Sequence, residues 1–319
     1  MPEWLIERGI GEIRYALTEG GEIIEAAIEL EDVVVAGSVI SARLTDVGVS
    51  GRNAIARDDQ GHEYLLPRGA AGVTQGAALN IEITREEIPG AEPWKRALAK
   101  MTVEPPADAL RVRGRQLVHP APRDELGNAG WGDLIDEARS GMVRFTGGEL
   151  RISPTPAMTL IDVDGYLAPD ELAVRGAAEA AKAIRRLNIG GSIGIDLPTA
   201  GSRATRQAAA AEIDKLLPQP FERTAVNGFG FVQIVRPRQR PSLLELAQDR
   251  TSFEARAQLR TIALGPAGPK RIVAHPAIIA LVRAKSDWLA ELTRQIGGEI
   301  ELRADASLPM SGGYAEKVQ

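Results

Sequence analysis

Two short apolar runs, each ending in an aspartate, flank an alanine-rich stretch, and together they set the architecture this chain can adopt. The first is MTLIDVDG (158–165) and the second IGGSIGIDLP (189–198), with ELAVRGAAEAAKAIRRLN (171–188) between them. Runs this short with apolar flanks read as buried strands, and the stretch between them has helical length and composition. Strand, helix, strand with short joints is a parallel crossover, because parallel strands need a long connection. Around it lie a helix-like GDLIDEARSG (132–141) and a hairpin, MVRFTGG with ELRISP (142–154), turning at Gly147 and Gly148. A helix, SRATRQAAAAEIDKLL (202–217), and a strand-like VNGFGFVQIVRP (226–237) complete an α/β layer.

In this layer Asp162 and Asp196 each stand where a central strand leaves the sheet. If the strands are neighbours, about 4.8 Å apart, the carboxylates meet at the carboxyl edge, where open α/β sheets place their ligands. Such a pair repels itself and asks for a cation. Magnesium suits it, with manganese as an alternative, because it prefers oxygen ligands and keeps waters while meeting substrate phosphates. The competing reading makes each aspartate a cap for the helix that follows.

The rest of the chain divides around this layer. Residues 1–32 read as an N-terminal β-hairpin turning at Glu19-Gly20-Gly21-Glu22. Over 33–88, short β-type runs (VVVAGSVISARL, NAIARDD, HEYLLP, AALNIEITREE) separated by turn residues predict a small OB-like barrel. Residues 89–130 hold six prolines and no sustained periodicity, and read as a surface linker with one short helix around WKRALAKM (94–101). The α/β layer spans 131–249. A small α/β unit spans 250–319, built from FEARAQLRTIAL, RIVAH, a helical stretch broken near Ser286, and EIELRAD. The expected fold class is therefore α/β plus a small β-barrel.

Composition limits the chemistry. The chain has no cysteine, which removes disulfides, thiolate zinc sites and a thiol nucleophile. Its three histidines, at 62, 119 and 275, are scattered, and His275 before Pro276 reads as structural. No apolar run approaches the roughly 20 residues a bilayer needs, and the acidic start lacks a leader pattern; a soluble, cytoplasmic protein is expected. The net charge is −5, yet residues 1–35 carry nine acids against two arginines, so the remainder is slightly basic. Local basic patches matter more to a nucleic acid than the total does.

The segments TLIDVDG, AAEAAKAIRRLNIGGSIGIDLP and GFGFVQIVRPRQRPSL resemble, in order and spacing, the catalytic segment of the ribonuclease E/G family. The resemblance covers about Trp131 to Leu243; the hairpin and barrel sit in the family's order with weaker motifs. It implies a DNase I-like catalytic domain and a magnesium-dependent endoribonuclease acting on single-stranded RNA. Asp162 and Asp196 match the metal ligands, and Arg236 and Arg238 the arginines of an R-x-R run. At the position where the family carries asparagine, thought to assist at the scissile phosphate, stands Asp164, whose charge favours an ion and repels a phosphate. The paired cysteines of the family's zinc link are missing, so zinc and zinc-linked oligomers are excluded. The long insertion that senses the RNA 5′ end is replaced by the proline-rich stretch. A non-catalytic RNA-binding protein derived from the same family is the alternative.

Further candidates for RNA contact are Arg203 and Arg206 on the helix after Asp196, Phe229 beside Phe231 for base stacking, and His62 and Tyr64 on the barrel. Aromatic residues make up only 4% of the chain, so stacking rests on few positions. Gly190, Gly191 and Gly194 precede a strand rather than follow one, which rules out a dinucleotide loop.

Overall fold

The computed structural model describes residues 1–89, 95–118, 123–199 and 202–318. The chain starts with three strands, β1 (Glu3–Arg8), β2 (Glu12–Glu19) and β3 (Glu22–Leu30). It continues through β4 (Val39–Asp46), β5 (Ala54–Arg57), β6 (Glu63–Leu66), β7 (Ala78–Arg85) and β8 (Ala97–Thr102), then β9 (Arg115–Leu117), α1 (Glu125–Asn128) and α2 (Trp131–Ser140). Next come β10 (Met142–Phe145), β11 (Gly148–Pro154), β12 (Thr159–Gly165), α3 (Pro169–Arg186), β13 (Gly191–Asp196), α4 (Arg203–Leu216), β14 (Glu222–Arg223), β15 (Phe231–Arg236) and α5 (Leu243–Leu246). The last part holds α6 (Arg250–Leu264), β16 (Lys270–Ala274), α7 (Pro276–Ala284), α8 (Ser286–Ile296), β17 (Ile300–Ala304) and β18 (Tyr314–Lys317). The protein is thus a mixed α/β structure containing a closed five-stranded barrel. No helix among the described residues is long and apolar enough to cross a membrane.

The chain forms two compact units that interleave in sequence. One comprises Met1–Asp32, Arg113–Arg139 and Leu246–Gln319, the other Val33–Val112 and Ser140–Glu245. In the first, the expected single hairpin is a three-stranded meander, because Gly9-Ile10-Gly11 makes a second reversal ahead of the one at Gly20-Gly21. Ile10 at that reversal is buried among α6, α7 and α8 with Leu259, Ile279, Trp288 and Leu292. A fourth strand, β9, adds in parallel beside β1. Arg115 ties β9 down: its guanidinium donates to both oxygens of Glu125 at 3.0 and 2.7 Å and to Glu3 at 3.1 Å.

The acidic residues of this meander are partly inside. Arg14, 1% exposed, pairs with Glu7 and Glu12, each at 2.6 Å. Arg256 of α6 reaches Glu12 at 2.9 Å, and Arg260 bridges Glu7 at 2.7 Å and Asp124 at 2.6 Å. Behind α6, β16 pairs with β17 in parallel and with β18 in antiparallel. Tyr314–Lys317 escapes a reading of periodicity because its four residues carry no apolar alternation.

In the second unit the barrel closes in the order β4-β5-β6-β8-β7 around Leu44, Tyr64, Leu66, Ile81 and Ile83. Its fifth strand is β8, drawn from the stretch expected to be linker and short helix. Ala97 and Ala99 point inward at period 2, the strand signature that the neighbouring prolines obscure. Residues 90–94 and 119–122 of the expected linker lie outside the described residues. The six-stranded sheet runs β10-β11-β12-β13-β15-β14, with the predicted crossover in place as β12, α3 and β13. Helix α3 lies close on the sheet because Gly176 has no side chain; a Cβ there would come 2.4 Å from Val163 Cγ1.

Replacing Arg14 with methionine leaves Glu7 and Glu12 buried without their shared cation. A loss of about 3–5 kcal/mol is expected from urea unfolding, whereas Arg57→Met, at an exposed pair with Glu63, is expected to cost under about 1 kcal/mol.

Candidate metal centre

Strand β12 alternates strictly: Thr159, Ile161 and Val163 are buried toward the helices, while Leu160, Asp162 and Asp164 face out. In the parallel pairing of β12 with β13, Asp162 is the direct partner of Asp196. Two carboxylates therefore stand side by side at the carboxyl edge, on strands about 4.8 Å apart. The same row continues across the sheet, with Arg151 of β11 opposite Asp162 and Phe231 of β15 opposite Asp196. Glu149 stands opposite Asp164.

The charges on this face are unbalanced. Arg151 is its one cation from β11, and its Nε and Nη2 donate to Glu149 at 3.1 and 2.9 Å, leaving only a 3.8 Å approach to Asp164. Burial, then the like charges of Asp164 and Asp196, push the Asp162 carboxyl above its ordinary range against the pull of Arg151. This is the environment a divalent cation relieves. Among the described residues no group of three or more histidine or acidic side chains is gathered to hold a metal. An ion here would thus have two protein carboxylates, with water and substrate oxygens filling its shell, as magnesium accepts.

Beyond the edge, the chain after Asp196 meets the turn before β15. Asn227 Oδ1 accepts the N–H groups of Phe229 and Phe231 at 2.9 and 3.0 Å, and Gly230 O accepts from Leu197 N at 3.3 Å. Gly230 has φ +93°, and a Cβ there would sit 2.2 Å from Leu197 O, so the turn requires glycine. It holds Phe229 outward at 83% exposure; Tyr166, just past β12, is 84% exposed. Phe231 lies over Gly194 on the carboxylate face rather than in the core. Arg203 and Arg206 occupy the first turn of α4, which Ser202 caps by accepting from Thr205 N at 2.9 Å.

Other sequence candidates stand elsewhere. Arg236 is the register partner of Gly191, five positions along from the Asp196–Phe231 pair, or about 17 Å at strand rise. Because β15 runs antiparallel to β13, residues that follow the Phe-Gly turn move away from the carboxyl edge. Arg236 Nη1 donates to Ile189 O at 3.0 Å, and Arg238 pairs with Glu245, which also accepts from Ser242 N and Oγ at 2.9 Å. Both arginines line a separate cavity of about 300 Å³ with Arg240, which approaches Glu86 of the barrel at 3.8 Å. The R-x-R run therefore does not share a site with the aspartates.

On the barrel, Tyr64 is 3% exposed and forms part of the core, so its ring cannot stack on RNA. Its hydroxyl donates to Asp58 Oδ2 at 2.9 Å, and burial together with Asp58 pushes the phenol far up. His62 is exposed, with Nδ1 3.0 Å from the same Asp58 oxygen. Burial alone would raise the Asp58 carboxyl, but hydrogen bonds from His62 and Tyr64 hold it below its ordinary range. His275 caps α7, its Nδ1 accepting from Ala277 N at 3.2 Å. Glu149 and Arg151 are the site neighbours that sequence reading passed over; their signal is the alternation of β11, which places both on the aspartate face.

Compared with models of known families and with curated proteins, the chain matches none of them.

The raised Asp162 has a stability consequence with a definite sign. A carboxyl whose folded pKa lies above its unfolded value destabilises the fold when ionised, and the penalty disappears below the ordinary carboxylate range. In chelator at pH 7, Asp162→Asn is expected to raise Tm, the gain shrinking as pH falls through the raised pKa. Magnesium is expected to raise Tm of the unmodified protein and not of the variant. An unchanged Tm in both comparisons counts against a metal centre here.

Proposed function

We propose that this protein is a magnesium-dependent endoribonuclease acting on single-stranded RNA, similar to the ribonuclease E/G family. The observation that carries the reading is the register of Asp162 with Asp196 on an open sheet face. Asp162 and Asp196 would hold the ion, which when bound supplies Lewis-acid polarisation of a phosphoryl oxygen and an activated water. The residues around them have separate tasks in this reading. Phe229 and Tyr166, both outward at the same edge, offer faces on which unpaired bases stack. Arg203 and Arg206 hold backbone phosphates near the start of α4. Arg236 and Arg238, being remote from the aspartates, have no part at the scissile phosphate; their place is along the RNA backbone toward the barrel. The six-stranded sheet is read as DNase I-like. The barrel is read as OB-like, supported by its five strands closing in Greek-key order.

A second reading is RNA binding without cleavage. It is favoured by the charge on the aspartate face, where Glu149, Asp162, Asp164 and Asp196 outnumber Arg144 and Arg151 and oppose a phosphate. This reading predicts salt-sensitive RNA affinity with no turnover.

Incubation of a fluorescent single-stranded RNA with the full chain, in magnesium or in chelator, separates the two. Cleavage is expected in magnesium only, abolished by Asp196→Asn with the thermal unfolding profile retained. Cleavage that survives in that variant rejects the aspartate site. Asp164→Asn, by removing a negative charge from the phosphate's approach, is expected to raise kcat/KM. Phe229→Ala is expected to raise KM severalfold at similar kcat, consistent with the loss of about 1–3 kcal/mol of base stacking.

A further inference from the structure

The open face of the six-stranded sheet changes character on either side of the aspartates. One row across it reads Arg151, Asp162, Asp196 and Phe231, each the register partner of the next. Toward the carboxyl end of β12 the neighbouring row is charged, with Arg144, Glu149 and Asp164. In the other direction the next row on this face is Ser153, Leu160, Gly194 and Gln233, which carries no charge. Leu160 is 40% exposed there, and Val235, further along β15 on the same face, is 52% exposed.

Gly194 is the low point of the uncharged row. It stands inside β13 between the buried Ile193 and Ile195, and it is not among the glycines with a left-handed φ. Conformational freedom therefore does not call for glycine here. A glycine in a strand interior weakens the strand and marks a close approach. Phe231 is what approaches: a Cβ on Gly194 would come 2.6 Å from its Cζ and 3.1 Å from Leu160 Cδ2. The ring, partly exposed, thus crosses from β15 onto β13 and lies low on the sheet, where any larger residue at 194 would lift it. Beyond the ring, Gln233 Nε2 donates to Ser192 Oγ at 3.0 Å, so its far border is polar. Packing explains the contact with Leu160. It does not explain why a strand gives up a side chain to lower an aromatic ring onto an open face beside two carboxylates.

From Asp196 to Gly194 is two residues, about 7 Å at strand rise, a distance that a ribose spans between its phosphate and its base. The uncharged row also suits a base, which carries no charge and whose π-face stacks on an aromatic ring.

We propose that Phe231 is the stacking platform for the base of a nucleotide flanking the scissile phosphate, with Gly194 the residue that lets the ring down onto the sheet, a role that rests on the endoribonuclease reading of Asp162 and Asp196. It gives the bound strand a direction. The nucleotide at the ion points its base along β13 toward Ser192, while Phe229 and Tyr166, beyond the carboxyl edge, receive bases further along the RNA.

Mapping the bonds that the full chain cuts in magnesium, in single-stranded RNAs that carry one abasic residue, tests this. In the unmodified protein, cleavage at one of the two bonds flanking the abasic residue is expected to fall roughly tenfold relative to the other bonds. Phe231→Leu keeps an apolar contact over Gly194 and removes the ring; it is expected to erase that local deficit, whereas Phe231→Tyr and Phe229→Ala keep it. A purely structural Phe231 would instead slow all bonds alike and leave the deficit in place. Gly194→Ala keeps the ring and displaces it, and is expected to act as Phe231→Leu does, which serves where the leucine variant does not fold. A deficit unchanged in a folded Phe231→Leu or Gly194→Ala protein overturns the platform and leaves the aspartate site standing. Absence of cleavage by the unmodified protein overturns both.

Discussion

Arg14 is the residue on which the interleaved unit depends. A guanidinium at 1% exposure is costly unless anions surround it, and Glu7 and Glu12, at 2% and 3%, can be inside only because Arg14, Arg256 and Arg260 reach them. Each carboxylate answers two arginines, so no member of the network is left alone. The arrangement fixes the angle at which α6 lies against the N-terminal meander, because a bidentate contact such as Arg260 with Glu7, at 2.7 and 3.0 Å, tolerates little rotation. With α6 placed, Ile10 enters the apolar cluster of α6–α8.

In the other unit the governing constraint is hydrogen-bond register. Asp162 and Asp196 face the same way because β12 and β13 pair with Ile161 against Ile195 and the aspartates next in line. A slip of one residue would turn Asp162 toward α3 and bring Val163 into the open. The buried alternation of Ile161 and Val163 against α3 therefore protects the site geometry. The same register carries Arg236 away from the carboxyl edge, since along an antiparallel neighbour each further residue increases the distance.

Much of this was legible in the sequence, and the failures have physical causes. The crossover and the aspartate pair were readable because both strands are flanked by their own periodic helix and end at the same kind of acid. Strand β8 was hidden by prolines on both sides, although Ala97 and Ala99 carry its alternation. Strand β9 spans three residues, too few for any period, and is held by Arg115 contacts to Glu3 and Glu125 that no local pattern announces. Tyr64 was readable as core, since it shares the inward phase of Leu66, but its ring suggested a base-stacking position. The displacement of Arg236 and Arg238 depends on strand direction, which spacing in a linear sequence does not contain.

The link between Glu12 and Arg256 spans 244 residues of chain. At ribosomal elongation of roughly 5–20 residues per second, the meander leaves the exit tunnel roughly 10–50 s before its helix partner is made. Throughout that interval Glu7 and Glu12 have Arg14 as their nearest cation, and Ile10 has no apolar seat. The meander thus gains its full set of partners only after the barrel and the six-stranded sheet, which lie between Glu12 and Arg256 in the sequence, have been synthesised.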